Sequence, residues 1–202
     1  MTKFTLLSAM LGAAISCASL PAMAATGVTG TVDLTGVVTP TCSVGSGSSS
    51  SFSTTIALGE LDQSNGTLSP TLSGSTSASP AAQFSTQITC NTGTPAVSVT
   101  ATELIDNLIA TVPAGYANAV NYSASAVVVE TSGSQTFAVT TNGATNGQTG
   151  PTTVANPIAN QANNLTINAY GFSTVGAATD ILLSSGGAPS YTATITVDIT
   201  PS

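Results

Sequence analysis

The stretch Tyr191-Thr-Ala-Thr-Ile-Thr-Val-Asp-Ile-Thr200 alternates without a slip. Tyr191, Ala193, Ile195, Val197 and Ile199 share one side, and Thr192, Thr194, Thr196, Asp198 and Thr200 the other. A period of two with one apolar side predicts a half-buried strand. Pro201 follows, and proline has no N–H with which to continue a ladder. The same period recurs upstream in four-residue sets: Phe52, Thr54, Ile56 and Leu58; Phe84, Thr86, Ile88 and Cys90; Tyr122, Ala124, Ala126 and Val128. Shorter sets continue it at Val97, Val99 and Ala101, at Phe137 with Val139, and at Leu165, Ile167 and Ala169. Turn signals separate these runs, among them Gly45 to Ser51, Asn65-Gly66, Asn91-Thr92-Gly93, Asn142-Gly143, Asn146-Gly147 and Gly186-Gly187. Only Glu103 to Ile109 reads as able to make a helical turn. With no internal repeat and no proline-rich linker, the expectation is an all-β, sandwich-like single domain.

At 202 residues the chain is long enough for one such domain, and 42 % hydrophobic residues suffice for a core. Charged residues are only 4 %, against about 25 % in an average globular chain. They are Lys3 and eight carboxylates: Asp33, Glu60, Asp62, Glu103, Asp106, Glu130, Asp180 and Asp198. The chain has no histidine and no other cationic side chain. That excludes a counterion-releasing surface for nucleic acid, a phosphate clamp, a Schiff-base lysine, a histidine-activated nucleophile and a histidine metal ligand. Neither catalysis nor a cofactor is expected.

Lys3 sits in the short cationic start of a secretory leader. An apolar run from Phe4 to about Ile15 follows, then the small-residue site Ala22-Met23-Ala24. Cleavage after Ala24 is expected. The apolar run is too short for a membrane anchor, and Ala14-Ile15-Ser16-Cys17 is a poor lipoprotein box beside the Ala-Met-Ala site. Removing 24 of the 202 residues leaves 178, with Ala25 first. Two cysteines then remain, Cys42 and Cys90, and an exported chain is expected to pair them. Such a bridge closes a loop of about 49 residues and contributes about 4 kcal/mol in the chain-entropy model. At the mature N-terminus Val28, Gly30, Val32, Leu34, Gly36 and Val38 alternate with Thr29, Thr31, Asp33 and Thr35. The run exceeds an ordinary strand, so residues 27–35 are read as one strand and those from Gly36 onward as another.

Other motifs carry less. Glu60 with Asp62, and Glu103 with Asp106, are the close carboxylate pairs that glycoside hydrolysis would need. No tryptophan accompanies them as a sugar platform, and solvated charges are the plainer reading. Asp62-Gln63-Ser64-Asn65-Gly66 partly matches a calcium loop, but it lacks the acidic third position and the distal glutamate, so a turn is expected and no metal. Asn65-Gly-Thr67, Asn121-Tyr-Ser123 and Asn164-Leu-Thr166 fit the glycosylation triplet, which arises by chance in a chain rich in Ser and Thr.

Three strings together resemble the chaperone–usher pilins, of the type 1 fimbrial major-subunit kind; the spore-coat-U-like branch is a related possibility. They are Gly30-Thr-Val-Asp-Leu-Thr-Gly-Val-Val-Thr-Pro-Thr-Cys42-Ser-Val44, Ile56-Ala-Leu-Gly-Glu-Leu61 and Gln83-Phe-Ser-Thr-Gln-Ile-Thr-Cys90. The resemblance implies an immunoglobulin-like β-sandwich lacking one strand, whose groove is filled by the N-terminal extension of the next subunit. Residues 25–35 match that extension and 36–202 the domain, after a leader over 1–24. Val28, Val32 and Leu34 match the groove-filling side chains, and Gly30 the family's small residue. Strand addition of this kind passes head to tail, so it yields a filament. The implied partners are identical or related subunits, a periplasmic chaperone and an outer-membrane usher. The implied location is a cell-surface fimbrium reached through the periplasm, with the membrane met only in transit and adhesion or biofilm formation as the outcome. Pro201-Ser202 departs from the penultimate tyrosine common in the family. A tip adhesin would need a further domain for which 178 residues leave no room, which points to a shaft or adaptor subunit. The other reading is a secreted sandwich whose N-terminal strand folds back into its own sheet and does not polymerise.

Overall fold

The computed structural model describes residues 31–45, 47, 49–143, 147–187 and 190–202. The chain divides into two units, Met1–Val37 and Val38–Ser202. In the first, the described residues 31–37 carry neither strand nor helix, and their side chains are exposed.

The second unit is all-β. Its strands are β1 (Cys42–Val44), β2 (Ala82–Thr86), β3 (Ile88–Cys90), β4 (Ala96–Ala101), β5 (Leu104–Ile105), β6 (Tyr116–Ala117) and β7 (Ala119–Glu130). They continue as β8 (Gly133–Thr140), β9 (Gly147–Gln148), β10 (Thr152–Thr153), β11 (Leu165–Thr174), β12 (Ile181–Leu182) and β13 (Ile195–Thr200). One short helix, α1, spans Pro70–Ser73 with proline in its first turn, where the missing N–H is not needed.

Strand β7 is the spine of a five-stranded antiparallel sheet. It pairs with β11 along one edge and with β8 and β5 along the other, and β2 extends the sheet beyond β11. The register shows why this strand has alanines at its centre. Ala124 lies opposite Val139 on one side and Ala169 on the other, and Ala126 lies between Phe137 and Ile167. Small residues on the middle strand leave room for large ones on its neighbours, which is how a close-packed layer is filled. All six side chains are buried in the core.

The second sheet is centred on β4, with β13 along the whole of one edge and β10 and β9 on the other. Val97, Val99 and Ala101 of β4 have no exposed surface and belong to the same core as the β7 face. Two sheets burying one core between them make the sandwich. A two-stranded ladder, β1 with β3, places Cys42 directly opposite Cys90, and the two form a disulfide.

Tight turns join the elements where sequence expects them. The Asn65-Gly66 turn needs its glycine twice over: Gly66 has φ +80°, and a Cβ there would come within 2.8 Å of Ile181 Cγ2. Asn65 Oδ1 accepts from both the N–H and the hydroxyl of Thr67, so the partial calcium motif folds as a turn. Gly171, at φ +64°, sits where the β11–β7 register shifts, and its N–H donates to Ser75.

Several expectations are corrected. Residues 31–35 of the expected 27–35 strand form none, and residues 27–30 lie outside the described residues. Of the second expected strand, the one from Gly36 onward, only Cys42–Val44 forms. Alternation prepares two faces, but a strand also needs a second backbone to take its N–H and C=O groups. For the same reason 52–58 is not a strand, although Phe52 and Leu58 pack against the core. The expected helical turn at 103–109 is instead β5 followed by a turn, because Leu104 and Ile105 pair with Val120 and Ala119. Pairing and burial override a weak local preference.

Candidate strand-accepting edge

Strand β13 forms because its alternation matches that of β4. Ile195 lies opposite Ala101, Val197 opposite Val99 and Ile199 opposite Val97, so the apolar faces of both strands point into the sandwich. Their burial differs. The β4 residues are fully covered, whereas Ile195, Val197 and Ile199 are only half-buried although they pack on the core. Among the described residues β13 has one ladder partner, β4, and its other edge is unpaired. The outcome is an open edge with apolar side chains that one more strand would cover.

A cavity of about 450 Å³ lies over the outward face of this sheet, lined by Ser98 of β4, Asp198 and Thr200 of β13, Gln148 and Pro151, with Ser50 beside them. Beyond Ser50, Phe52 stacks on Phe84 with ring centroids 5.5 Å apart. The C-terminal end is tied down, since the Ser202 hydroxyl donates to the Thr94 carbonyl just before β4. At the start of the C-terminal segment Tyr191 donates its hydroxyl to the Leu183 carbonyl at 2.7 Å. Burial, followed by the nearby charges of Asp106 and Asp62, pushes the Tyr191 phenol up to about 12.

Of the expected donor residues, Val28 and Gly30 lie outside the described residues. Val32 is 86 % exposed and Leu34 92 %, with Val37 and Val38 also exposed. Four large apolar side chains in seven residues are thus left in water. From Val38 the backbone approaches β3 through Asn91, which sequence reading took only as a turn residue. Asn91 Nδ2 donates to the Thr39 carbonyl at 2.8 Å, and Oδ1 accepts from the Thr41 N–H at 2.7 Å. The side-chain amide supplies both halves of a ladder contact ahead of β1. The signal was its place directly after Cys90.

The acidic residues separate by environment. Glu60 and Asp198 are exposed, whereas Glu103, Asp106 and Glu130 are buried. Glu130 accepts from the Ala155 N–H and from Asn156 Nδ2. Asp106 accepts from the N–H groups of Leu108 and Ser185, and hydrogen bonding from Ser185 and Leu108 holds its carboxyl below the usual range. Glu103 differs from both: its Oε1 is buried without a hydrogen-bond partner among the described residues, and burial pushes its carboxyl up. Asp106 therefore works as a fixed acceptor that holds two loops, while Glu103 is uncommitted.

The glycosylation triplets also separate. Asn164 is completely buried, with its amide bonded to both the N–H and C=O of Ile88. Asn121 is half-buried and accepts from the Gly143 N–H, and Asn65 is exposed. Comparison of the chain with protein-family models, curated proteins and solved structures finds no match.

Proposed function

We propose that the chain is a structural subunit of an extracellular fimbria, polymerising when the N-terminal extension of one copy adds to the open β13 edge of the next. The observation that carries this reading is the unpaired edge of β13, whose core-facing Ile195, Val197 and Ile199 are half-covered beside fully covered partners on β4. The exposed Val32 and Leu34 supply apolar side chains at alternate positions on a segment that carries no strand. Backbone hydrogen bonds to the edge give affinity, and alternate side chains against the core set the register. A contact passed from one copy to the next does not close, so it propagates as a filament. The disulfide fits assembly in an oxidising compartment. In this reading a chaperone strand covers the edge before assembly, an usher exports the subunit, and the finished fimbria serves adhesion or biofilm formation.

The test is Leu34→Asp. Burying a leucine is worth about 1.5–3 kcal/mol, and an unpaired carboxylate in its place adds a larger penalty. Filament assembly should be lost while the Cys42–Cys90 domain still folds. Thr31→Asp and Thr35→Asp, on the opposite side of the alternation, should be tolerated. Normal assembly of Leu34→Asp refutes donation, and unfolding of the isolated variant at high dilution favours a strand that folds back into its own sheet.

A further inference from the structure

We infer that the exposed loop between β5 and β6 is a docking surface for Val37 and Val38 of the next copy. The inference rests on the strand-donation reading and adds to it a contact outside the β13 edge. Two groups of apolar side chains are left in water without a role in that reading. On the loop, Leu108 is 78 % exposed, and Val112 and Tyr116 are exposed too. Ahead of the domain, Val37 is 96 % exposed and Val38 77 %, although the edge is filled by Val32 and Leu34.

The loop is a held platform. The Asp106 N–H donates to the Asn118 carbonyl, Asn118 Nδ2 to the Ile109 carbonyl, and the Ile181 N–H to the Gly115 carbonyl. Residues 107–116 carry no charge, and neither do residues 36–41. Contact between the two therefore buries apolar surface without stranding an ion. Both ends of the loop adjoin the chain that leads into β13. Asn107 lines one cavity with Thr192, Ala193 and Thr194, and the Tyr191 hydroxyl donates to the Ala117 carbonyl.

The register of β13 brings the two groups together. Each ladder of β4, with β9, β10 and β13, is antiparallel, and antiparallel pairing is the commoner kind. A donor added antiparallel to β13, with Val32 opposite Val197 and Leu34 opposite Ile195, has Gly36 opposite Ala193 and Val37 opposite Thr192. Thr192 is itself bonded to Ile105, in both directions at 3.1 Å, just before the loop begins. At about 3.4 Å per residue Val37 lies about 10 Å past Leu34, where the donor leaves the edge beside the loop. Little slack follows, because Asn91 of the donor's own domain holds the neighbouring Thr39 and Thr41. A parallel donor would leave at the Thr200 end instead, about 20 Å away along the ladder.

Two peptides separate the loop from the edge. Residues 25–35 reach only the edge, and residues 25–39 add Val37 and Val38. Each is titrated into the disulfide-bonded mature chain carrying Leu34→Asp, which keeps it from polymerising, with and without Leu108→Asp. The shorter peptide should bind both proteins equally. The longer one should bind about tenfold tighter than the shorter where Leu108 is intact, and lose that gain in Leu108→Asp. A second measurement does not depend on that variant's folding: filaments carrying p-benzoylphenylalanine at position 108 are irradiated, and the link should map to residues 36–41 of a neighbouring copy. Failure of the shorter peptide to bind overturns strand donation, and the docking with it. Binding of the shorter peptide with no gain from the longer, or a gain that survives Leu108→Asp, overturns the docking alone, as does a link that maps elsewhere.

Discussion

Replacing Asn164 by alanine should cost more stability than any conserved-volume change in the core, and the structure supplies the reason. Strands β2 and β3 are interrupted at Gln87, where the ladder between β2 and β11 stops at Thr86 opposite Leu165. Asn164, one residue before β11, fills the gap with its side chain. Oδ1 accepts from the Ile88 N–H at 2.7 Å, and Nδ2 donates to the carbonyls of Ile88 at 2.7 Å and Ala159 at 2.6 Å. Alanine leaves all three backbone groups without these partners in a site that has no exposed surface. At about 1–3 kcal/mol for each buried group left unsatisfied, and with some relief from relaxation, the loss should be about 3–4 kcal/mol. With a urea slope of about 2 kcal/mol/M the midpoint should fall by about 1.5–2 M. The assay is urea unfolding followed by circular dichroism with the disulfide intact, and Ser134→Ala on the exposed face of β8 is the control, expected within about 0.5 kcal/mol of wild type. Asn164→Asp should be at least as harmful near neutral pH, since a carboxylate would then face two carbonyls. A loss below about 1 kcal/mol for Asn164→Ala would show that the amide does not bridge the gap, and the account of this corner would be wrong.

Three further outcomes are expected. Reducing the Cys42–Cys90 bridge, whose cysteines lie 48 positions apart, should lower stability by about 4 kcal/mol in the chain-entropy model; matched unfolding curves with and without reductant measure it. Gly66→Ala should destabilise by about 1–2 kcal/mol from its left-handed backbone alone, with the Ile181 contact adding to the loss, read as a lower melting temperature. Burial raises the Glu103 carboxyl above its ordinary 4.5, so the folded protein holds this proton more tightly than the unfolded chain. The Glu103 contribution is therefore full below the unfolded value and is lost as pH rises through the folded one; stability-against-pH curves should show that Glu103→Gln removes this fall.

Much of the fold was legible because one physical signal dominated. Val97, Val99 and Ala101, and Tyr122, Ala124, Ala126 and Val128, alternate strictly, and every one is buried. Cys42 and Cys90 were legible as a pair from export and number alone. Phe52 to Leu58 alternates as well but lacks a ladder, and no single-strand pattern states whether a partner exists. Leu104 and Ile105 suggested a helical turn because local sequence cannot foresee Val120 and Ala119 across the sheet. Asn164 stood out only as part of a triplet that arises by chance, yet it is a buried replacement for backbone. Glu103 was read as one of a pair with Asp106, and what separates the two is that the N–H groups of Leu108 and Ser185 reach Asp106 while Glu103 Oε1 has no hydrogen-bond partner among the described residues, which no spacing states.

Strand donation between copies is most directly tested on filaments taken from the cell surface and run in SDS without boiling, beside a boiled sample. A β-strand held in a neighbour's core resists detergent until heat unfolds the domain. The account predicts a ladder at multiples of the mature subunit that collapses to one band on boiling. A single monomer band in the unboiled lane contradicts it.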